Sequence, residues 1–337
     1  MRDEGIDCIT VSSLTMAKYF AQDFKDITVA FPVNILEIET INELVTMQQQ
    51  EKEAVPFQLN LLVENVEAVH FLRHNIKAPV GIYIKVDVGY GRTGIPAQNF
   101  NRIDAVLEQL LSKDSRLRLG FRGFLTHAGH SYHCRTKQEI LQVHRLSKEL
   151  LFNLKEHMQD KHNTTAFEIS VGDTPTCSVV EADELVGFHE IRPGNFVFYD
   201  VEQATIGSCS FDNVAVAMVC PVVALHPSRR EIVLYGGGVH FSKDRLVDAD
   251  EKTIFGRVVQ SLPGSPLRWD SVIDGMYLRS CSQEHGIVVV PPHVEFDSYR
   301  VGDLVKVLPV HSCMTADAMK NKGYLTCDGK WISRMVE

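Results

Sequence analysis

The 337-residue chain has no apolar run long enough to span a bilayer, and its start, MRDEGIDCIT, is too polar for a secretory leader. Neither a membrane anchor nor export is therefore expected. Its eight cysteines, at 8, 134, 177, 209, 220, 281, 313 and 327, include no CxxC pair. Scattered thiols suit a reducing cytoplasm better than a disulfide framework. Positive charge is in deficit, with 34 Lys and Arg against 43 Asp and Glu and a formal charge of -9. That balance argues against a nucleic-acid surface as the main business. Repeats, low-complexity tracts and long linkers are also missing. What remains is 45% hydrophobic and 23% charged, ordinary for a globular protein, on a chain long enough for two domains.

Strand-like and helix-like runs alternate through the first 200 residues. Strands are predicted near residues 9, 27, 57, 82, 119, 167 and 190. Helices are predicted over 14–24, 35–49, 65–75, 101–112 and 137–160. This βαβα rhythm with short connections predicts a parallel sheet, and its length favours a (β/α)8 barrel over an open one. Seven strands are one short of eight. Met1–Gly5 reads as the tail of a helix ending at a glycine C-cap, so the chain is expected to begin inside the first helix, with one strand missing before it. Such a barrel would leave an open sheet edge and a poorly stable isolated chain. After Asp200 the rhythm changes to short apolar runs, 214–225, 231–234, 286–290 and 304–310, split by turns. Residues 201–337 are thus expected to form a second, mostly β domain, after a barrel over 1–200.

Several constellations could carry chemistry. In GIYIKVDVGYGRTG (81–94), Ile82, Ile84, Val86 and Val88 alternate with Tyr83, Lys85 and Asp87. The aliphatic face should meet helices and the polar face should point into the barrel. The following glycine turn holds Arg92 at the strand's carboxyl end, where barrels do chemistry. Gly172-Asp173-Thr174-Pro175-Thr176 and Arg192-Pro193-Gly194-Asn195 also follow strands. Their backbone amides and hydroxyls could take a phosphate, although the same residues also make ordinary turns. His127, His130, Tyr132 and His133 bring groups that titrate near neutral pH to another strand end, or else form a solvated loop. His311 and Cys313, two apart in an extended segment, would project to one side as zinc ligands, one fewer than a usual catalytic site. Tyr235-Gly236-Gly237-Gly238 lacks the strand–helix context of a dinucleotide fingerprint.

The order KVDVGYGRTG, HAGHSY, VGDTPT, RPGNFVFYD, EHG, PVHSC resembles the D-serine dehydratase and D-threonine aldolase family over nearly the whole chain. The resemblance implies an alanine racemase-like barrel, a β domain, pyridoxal phosphate and zinc, working as a homodimer on a small D-amino acid. By resemblance Arg92 would sit by the cofactor's ring nitrogen. Gly172, Asp173, Thr174, Gly194, Asn195 and Tyr199 would contact the cofactor, and His127 and Tyr132 would line its ring or the substrate. His311 and Cys313 would hold a zinc ion that polarises the β-hydroxyl, and a cysteine at 313 resembles the dehydratase branch. The implied reaction is loss of water from a D-3-hydroxy amino acid, giving a 2-oxo acid and ammonia. Retro-aldol cleavage, or non-catalytic binding of cofactor or amino acid, are the alternatives.

One departure stands out. The family's Schiff-base lysine lies in a Lys-Thr-His-Lys-like segment on the first barrel strand, and no such segment occurs here. The chain is then a truncated product, a catalytically dead relative, or one in which another lysine substitutes. Lys85 is the only lysine placed inside the barrel, where it would otherwise be a structural charge near Asp87 and Arg92.

Overall fold

Strands form where β-branched and aliphatic residues alternate between turns. In the computed structural model, which describes residues 5–50, 57–112, 118–163, 167–248, 250–265, 267–320 and 323–332, the chain divides into two compact units. The first takes in the chain to Ser131 and Gln138–Pro193, and the second Tyr132–Lys137 and the chain from Gly194.

The first unit is built on β1 (Cys8–Val11), β2 (Asp26–Pro32), β3 (Gln58–Val63), β4 (Val80–Asp87), β5 (Leu119–Leu125), β6 (Glu168–Val171) and β7 (Glu190–Ile191). Each pairs in parallel with the next in chain order, as helical crossovers impose. The sheet curls far enough for Thr10 Oγ1 on β1 to donate to Glu190 Oε1 on β7 at 3.2 Å. This is the barrel-type sheet expected from the sequence, with all seven predicted strands present. Most of the predicted helix tail at Met1–Gly5 lies outside the described residues; Gly5 itself is left-handed, with φ +80°.

Five helices flank the sheet: α1 (Leu14–Phe20), α2 (Ile38–Gln50), α3 (Val66–Asn75), α4 (Phe100–Leu111) and α5 (Lys137–His162). Ser13, Asn65 and Asn99 start α1, α3 and α4 by accepting an exposed amide on their side chains. On α4, Ile103, Val106, Leu107 and Leu110 fall at helical spacing and are buried. They share one cluster with Ile82, Ile84 and Val86 of β4. The aliphatic face of β4 therefore meets helices, as its alternation predicts. Truncating a fully buried side chain such as Ile84 to alanine would cost about 2–5 kcal/mol.

The opposite face of the sheet carries polar groups, with Leu62 and Leu125 packed beside Tyr83 among them. At its base the register slips between Ile82 and Tyr83, which leaves Arg122 of β5 outside the pairing. Its guanidinium bonds Glu168 at 3.1 Å, Asp26 at 3.1 Å and Asn60 at 3.3 Å. Tyr83 adds a hydrogen bond from its hydroxyl to Glu168 Oε2 at 2.5 Å. Burial, followed by that carboxylate, pushes the phenol's pKa upward, so Tyr83 stays a donor. A closed polar network thus seals this end and leaves chemistry to the other.

In the second unit β8 (Met218–His226), β9 (Glu231–Tyr235), β10 (Gly256–Ser261), β11 (Trp269–Cys281), β12 (His285–Val289) and β13 (Leu304–Pro309) form an antiparallel barrel. It closes in the order β9-β12-β11-β10-β13-β8, with Val222, Ile232, Met276, Leu278, Val288 and Val307 inside. Four further α-helices are short: α6 (Thr174–Val179) in the first unit, and α7 (Val201–Ile206), α8 (Gly238–Phe241) and α9 (Ser312–Met319) in the second. No helix among the described residues is long and apolar enough to cross a membrane, and all eight cysteines are unbridged.

Candidate active site

In the first unit, polar side chains gather where β4, β5, β6 and β7 end. Asp87 closes β4. Its Oδ1 accepts the amides of Gly89, Tyr90 and Gly91 at 2.9–3.1 Å, which folds the glycine turn back over the strand end. Glu64 Oε2 takes the amide of Gly94 at 2.5 Å. Both carboxylates therefore brace backbone, and act on Lys85 only through their charge, without an ion pair. Gly94 is required here: its φ is +106°, and a Cβ would stand 2.8 Å from the Asp87 nitrogen.

That turn carries Tyr90 and Arg92 to the mouth. The Arg92 guanidinium lies 5.0 Å from the centre of the Tyr90 ring, and the Tyr90 ring meets His127 edge-on at 6.0 Å. Gly129 lets the ring lie there, because a Cβ at this position would strike Tyr90 carbons. His127, just past β5, holds its Nδ1 2.7 Å from the carbonyl oxygen of Gly172. A carbonyl only accepts, so Nδ1 carries the proton and Nε2 the lone pair. Burial, then the cations Lys85, Arg92 and Arg192, push its pKa down to about 4, against the Gly172 bond. His127 is a neutral imidazole with a fixed tautomer.

Arg192 comes from the end of β7. Its Nε donates to Ser170 Oγ at 2.7 Å, and its Nη2 to the carbonyl oxygens of Thr126 at 2.5 Å and Ser170 at 3.2 Å. Ser170 Oγ in turn donates to Glu190 Oε2 at 2.7 Å. Lys85, one layer below Asp87 on β4, is only 5% exposed. Burial, then Arg192 and Arg92, push its pKa down to about 7, against Asp87 and Glu64.

The turn after β6 is more committed than its sequence suggests. Asp173 accepts from Thr176 N at 2.8 Å as the cap of α6, and from Ser131 Oγ at 2.7 Å. Burial pushes this carboxyl above its usual range. Thr174 is fully buried. Asp173 and Thr174 thus shape the turn, and Gly172 presents its carbonyl to His127.

The remaining sequence candidates lie in the second unit. His311 follows β13 and Cys313 lies in the first turn of α9, so the extended segment expected over 309–313 ends at His311. A helix starting at Ser312 replaces the alternation that would have placed both side chains on one side. They meet nonetheless through a hydrogen bond between imidazole and thiol. His311 Nδ1 also lies 3.1 Å from Asp244 Oδ2. Burial alone would lower the His311 pKa, but the Cys313 bond and the charges of Asp200, Cys313 and Asp244 outweigh it and raise it to about 9. Burial, then Asp200, pushes nearby Glu202 up to about 7.

Asn195 organises this cluster. Its Nδ2 donates to Asp200 Oδ2 at 2.6 Å, Ser312 Oγ at 3.2 Å and Cys313 Sγ at 3.6 Å. Gly194 precedes it with open space beside its α-carbon. Tyr199 takes φ +50° and packs against a small cluster with Val201, Val214 and Leu308. Tyr132 belongs to this unit, whereas His127 belongs to the first. Among the described residues no three His, Cys, Asp or Glu side chains stand as a metal-ligand group.

The alanine racemase N-terminal domain family model matches residues 2–201. The chain belongs to this family. A serine dehydratase domain model matches residues 215–322 as well. A D-serine dehydratase of Dictyostelium discoideum is 26% identical, over 96% of this chain and 80% of its own length. A D-threo-3-hydroxyaspartate dehydratase of Delftia sp. is 28% identical, over 97% and 83%. The solved structure of the Delftia enzyme superposes with a TM-score of 0.82 at 25% identity, over 99% of this chain and 85% of that one. Its cysteine-to-alanine variant, described as metal-free, gives 0.83 at 24% identity over 99% and 85%. The alanine racemase-like fold with a β domain is thus established for this family member.

Sequence reasoning passed over Arg192 as a functional side chain, and with it Ser170 and Glu190. Glu190 opens the two-residue strand β7 and Arg192 directly follows it, two apart in the sequence, a spacing obscured by the phosphate-like turn that follows. Asp244 and Glu202 had no sequence mark at all.

Proposed function

We propose that this chain is a pyridoxal-phosphate-dependent lyase that removes water from a D-3-hydroxy amino acid, giving a 2-oxo acid and ammonia. The observation that carries this reading is the barrel mouth, where Lys85, Arg92, His127 and Arg192 converge with their charges and tautomers set. The relatives named D-serine and D-threo-3-hydroxyaspartate dehydratase, alike over most of their length, support it.

The residues present fit the cofactor. An amine without an ion-pair partner and a neutral imidazole stand beside two guanidiniums, a donor set suited to a phosphorylated aromatic aldehyde. Arg92, His127 and the Gly172 turn would hold it. When bound, pyridoxal phosphate supplies the electron sink for the carbanion left by α-proton removal. His127 packs as a neutral ring, because its Nδ1 proton is committed to Gly172. Arg192 brings fixed positive charge, oriented by Ser170 and Thr126. Lys85 holds or releases a proton at Nζ near neutral pH.

Zinc fits the second cluster in donor chemistry, since His311 and Cys313 offer imidazole and thiolate. The count is one short of the usual three protein ligands. Zinc there would supply Lewis acidity, which lowers the cost of expelling hydroxide. The enzyme acts as a homodimer on a small D-amino acid in the cytoplasm, a reading supported by the family resemblance and the unbridged thiols. Sedimentation at working concentration should give twice the chain mass.

The deciding experiment incubates the full chain, pyridoxal phosphate and zinc with D-serine or D-threo-3-hydroxyaspartate. Equal amounts of 2-oxo acid and ammonia are expected, with none from the L-enantiomers. Glycine and an aldehyde would mean retro-aldol cleavage, and cofactor binding without any product would mean a non-catalytic relative.

A further inference from the structure

Helix α9 carries Cys313 in its first turn, yet it starts without a cap of its own. A helix start leaves several amides unsatisfied, and His311, the residue before it, makes no side-chain bond to them. The acceptor is Asp200, far upstream in the chain. Its Oδ2 accepts Ser312 N at 3.0 Å and Ser312 Oγ at 3.3 Å. Its Oδ1 accepts Gln203 N at 2.9 Å and caps α7. One carboxylate therefore ties two helix starts together. Asn195 completes the arrangement, since its Nδ2 bonds Asp200 Oδ2 at 2.6 Å, Ser312 Oγ at 3.2 Å and Cys313 Sγ at 3.6 Å. Asn195 is 4% exposed and Asp200 and Ser312 are 0% exposed, whereas Cys313 reaches solvent.

We propose that Asp200 and Asn195 are positioning residues that hold His311 and Cys313 together as a preformed site for a divalent metal ion. The inference rests on the reading of this pair as a zinc site. Ser312 lies between the two, so its bonds to Asp200 fix the backbone from which both side chains leave. Asn195 then fixes the sulfur itself. A buried carboxylate is costly alone, and here four donors offset that cost. Its oxygens are committed to them, so Asp200 holds the ligands rather than acting as one. Preorganisation weighs heavily in a site with two protein ligands. An unanchored imidazole and thiol would lose rotamer freedom on binding, and that loss would be subtracted from the affinity.

Removing a group that orients a metal ligand weakens metal affinity by about 10- to 100-fold, and that loss is expected of both Asn195→Ala and Asp200→Asn. Asn195→Ala takes the donor from the sulfur but leaves both helix starts bonded to Asp200, so the chain stays folded. Asp200→Asn puts a donor amide where a carboxylate only accepted. Ser312→Ala removes a buried hydroxyl and keeps the main-chain amide on Asp200, and its expected loss is less than about threefold.

Titration of the full chain with cobalt(II) reads the site without turnover, because a thiolate ligand gives cobalt an intense near-ultraviolet charge-transfer band. The parent should show a saturable band that Cys313→Ser abolishes, which assigns it to this cysteine. Metal-free melting curves recorded alongside establish that each variant is folded. The inference predicts the same band in Asn195→Ala and Asp200→Asn only at 10- to 100-fold higher cobalt, about the loss given above, with Ser312→Ala near the parent. Parent-like affinity in Asn195→Ala and Asp200→Asn would overturn the positioning role and leave the zinc reading standing. An equal loss in Ser312→Ala would also overturn it, because any loosening of α9 would then suffice. A parent without a band that depends on Cys313 would sink the zinc reading, and the inference with it.

Discussion

Lys85 shows how one residue reads differently once its neighbours are placed. Its alternation with Ile84 and Val86 points it inward, and a nearby aspartate invites a salt bridge. The structure gives Asp87 to the turn amides instead, so the ammonium makes no ion pair with it, and the pull of Asp87 and Glu64 is outweighed by burial, Arg192 and Arg92. This has a thermodynamic consequence. The folded pKa of about 7 lies below the ordinary 10.5, so the unfolded chain binds more protons between those values and stability rises with pH across that window. Below pH 7 both states are charged and the full penalty is felt. Lys85→Met should therefore be more stable than the parent at pH 6, by a margin that shrinks by pH 9. The change is at most about 1.4 kcal/mol per pH unit, and denaturant melts at the two values would read it. A constant margin would mean that Lys85 is paired or hydrated after all. His127 shifts in the same direction, and its pKa, pushed down to about 4, keeps the ring neutral above that pH. Its ring proton at Nδ1 should remain visible by NMR at pH 5.5.

At the scale of elements, the glycine turn after β4 and the His127 loop after β5 are locked by one ring. Tyr90 carries Arg92 on its face and fills the space above Gly129. Gly129→Ala has to displace that ring, and with it Arg92. A loss of cofactor affinity of about tenfold or more is expected, equal to roughly 1.4 kcal/mol, with little change in melting temperature. Tyr90→Phe, which keeps the ring, should bind as the parent does. An unchanged affinity in Gly129→Ala would detach the ring from the site. Elements with a clear period were legible beforehand: the seven strands and five long helices of the first unit stand within a few residues of their predicted places. The misses share a cause. Trp269–Cys281 is a 13-residue strand whose apolar residues are interrupted by Asp270, Ser271, Asp274 and Gly275, and its pairing slips twice against β10 and once against β12. Bulges destroy a period of two. Helices α6, α7 and α9 are short and are preceded by the capping residues Asp173, Asp200 and His311, which read equally well as turns. Arg192 hid for a related reason, since two residues of strand are too few to show a face.

For the whole molecule, one end of the parallel sheet is closed by the Arg122 network and the other is open and poised. Charge is arranged to match. Carboxylates fix backbone and guanidiniums, while imidazole and amine are left uncharged or half-charged. That division agrees with a mouth that holds a phosphorylated aldehyde and moves protons near neutral pH, and it is what the family membership leads one to expect of the barrel. The most direct test is an equilibrium titration of the full chain with pyridoxal phosphate, followed by its visible absorption. A saturable band is predicted, weakened at least tenfold in Arg92→Gln without a change in fold. Absence of saturation, or the same affinity in Arg92→Gln, would contradict the barrel mouth as the cofactor site.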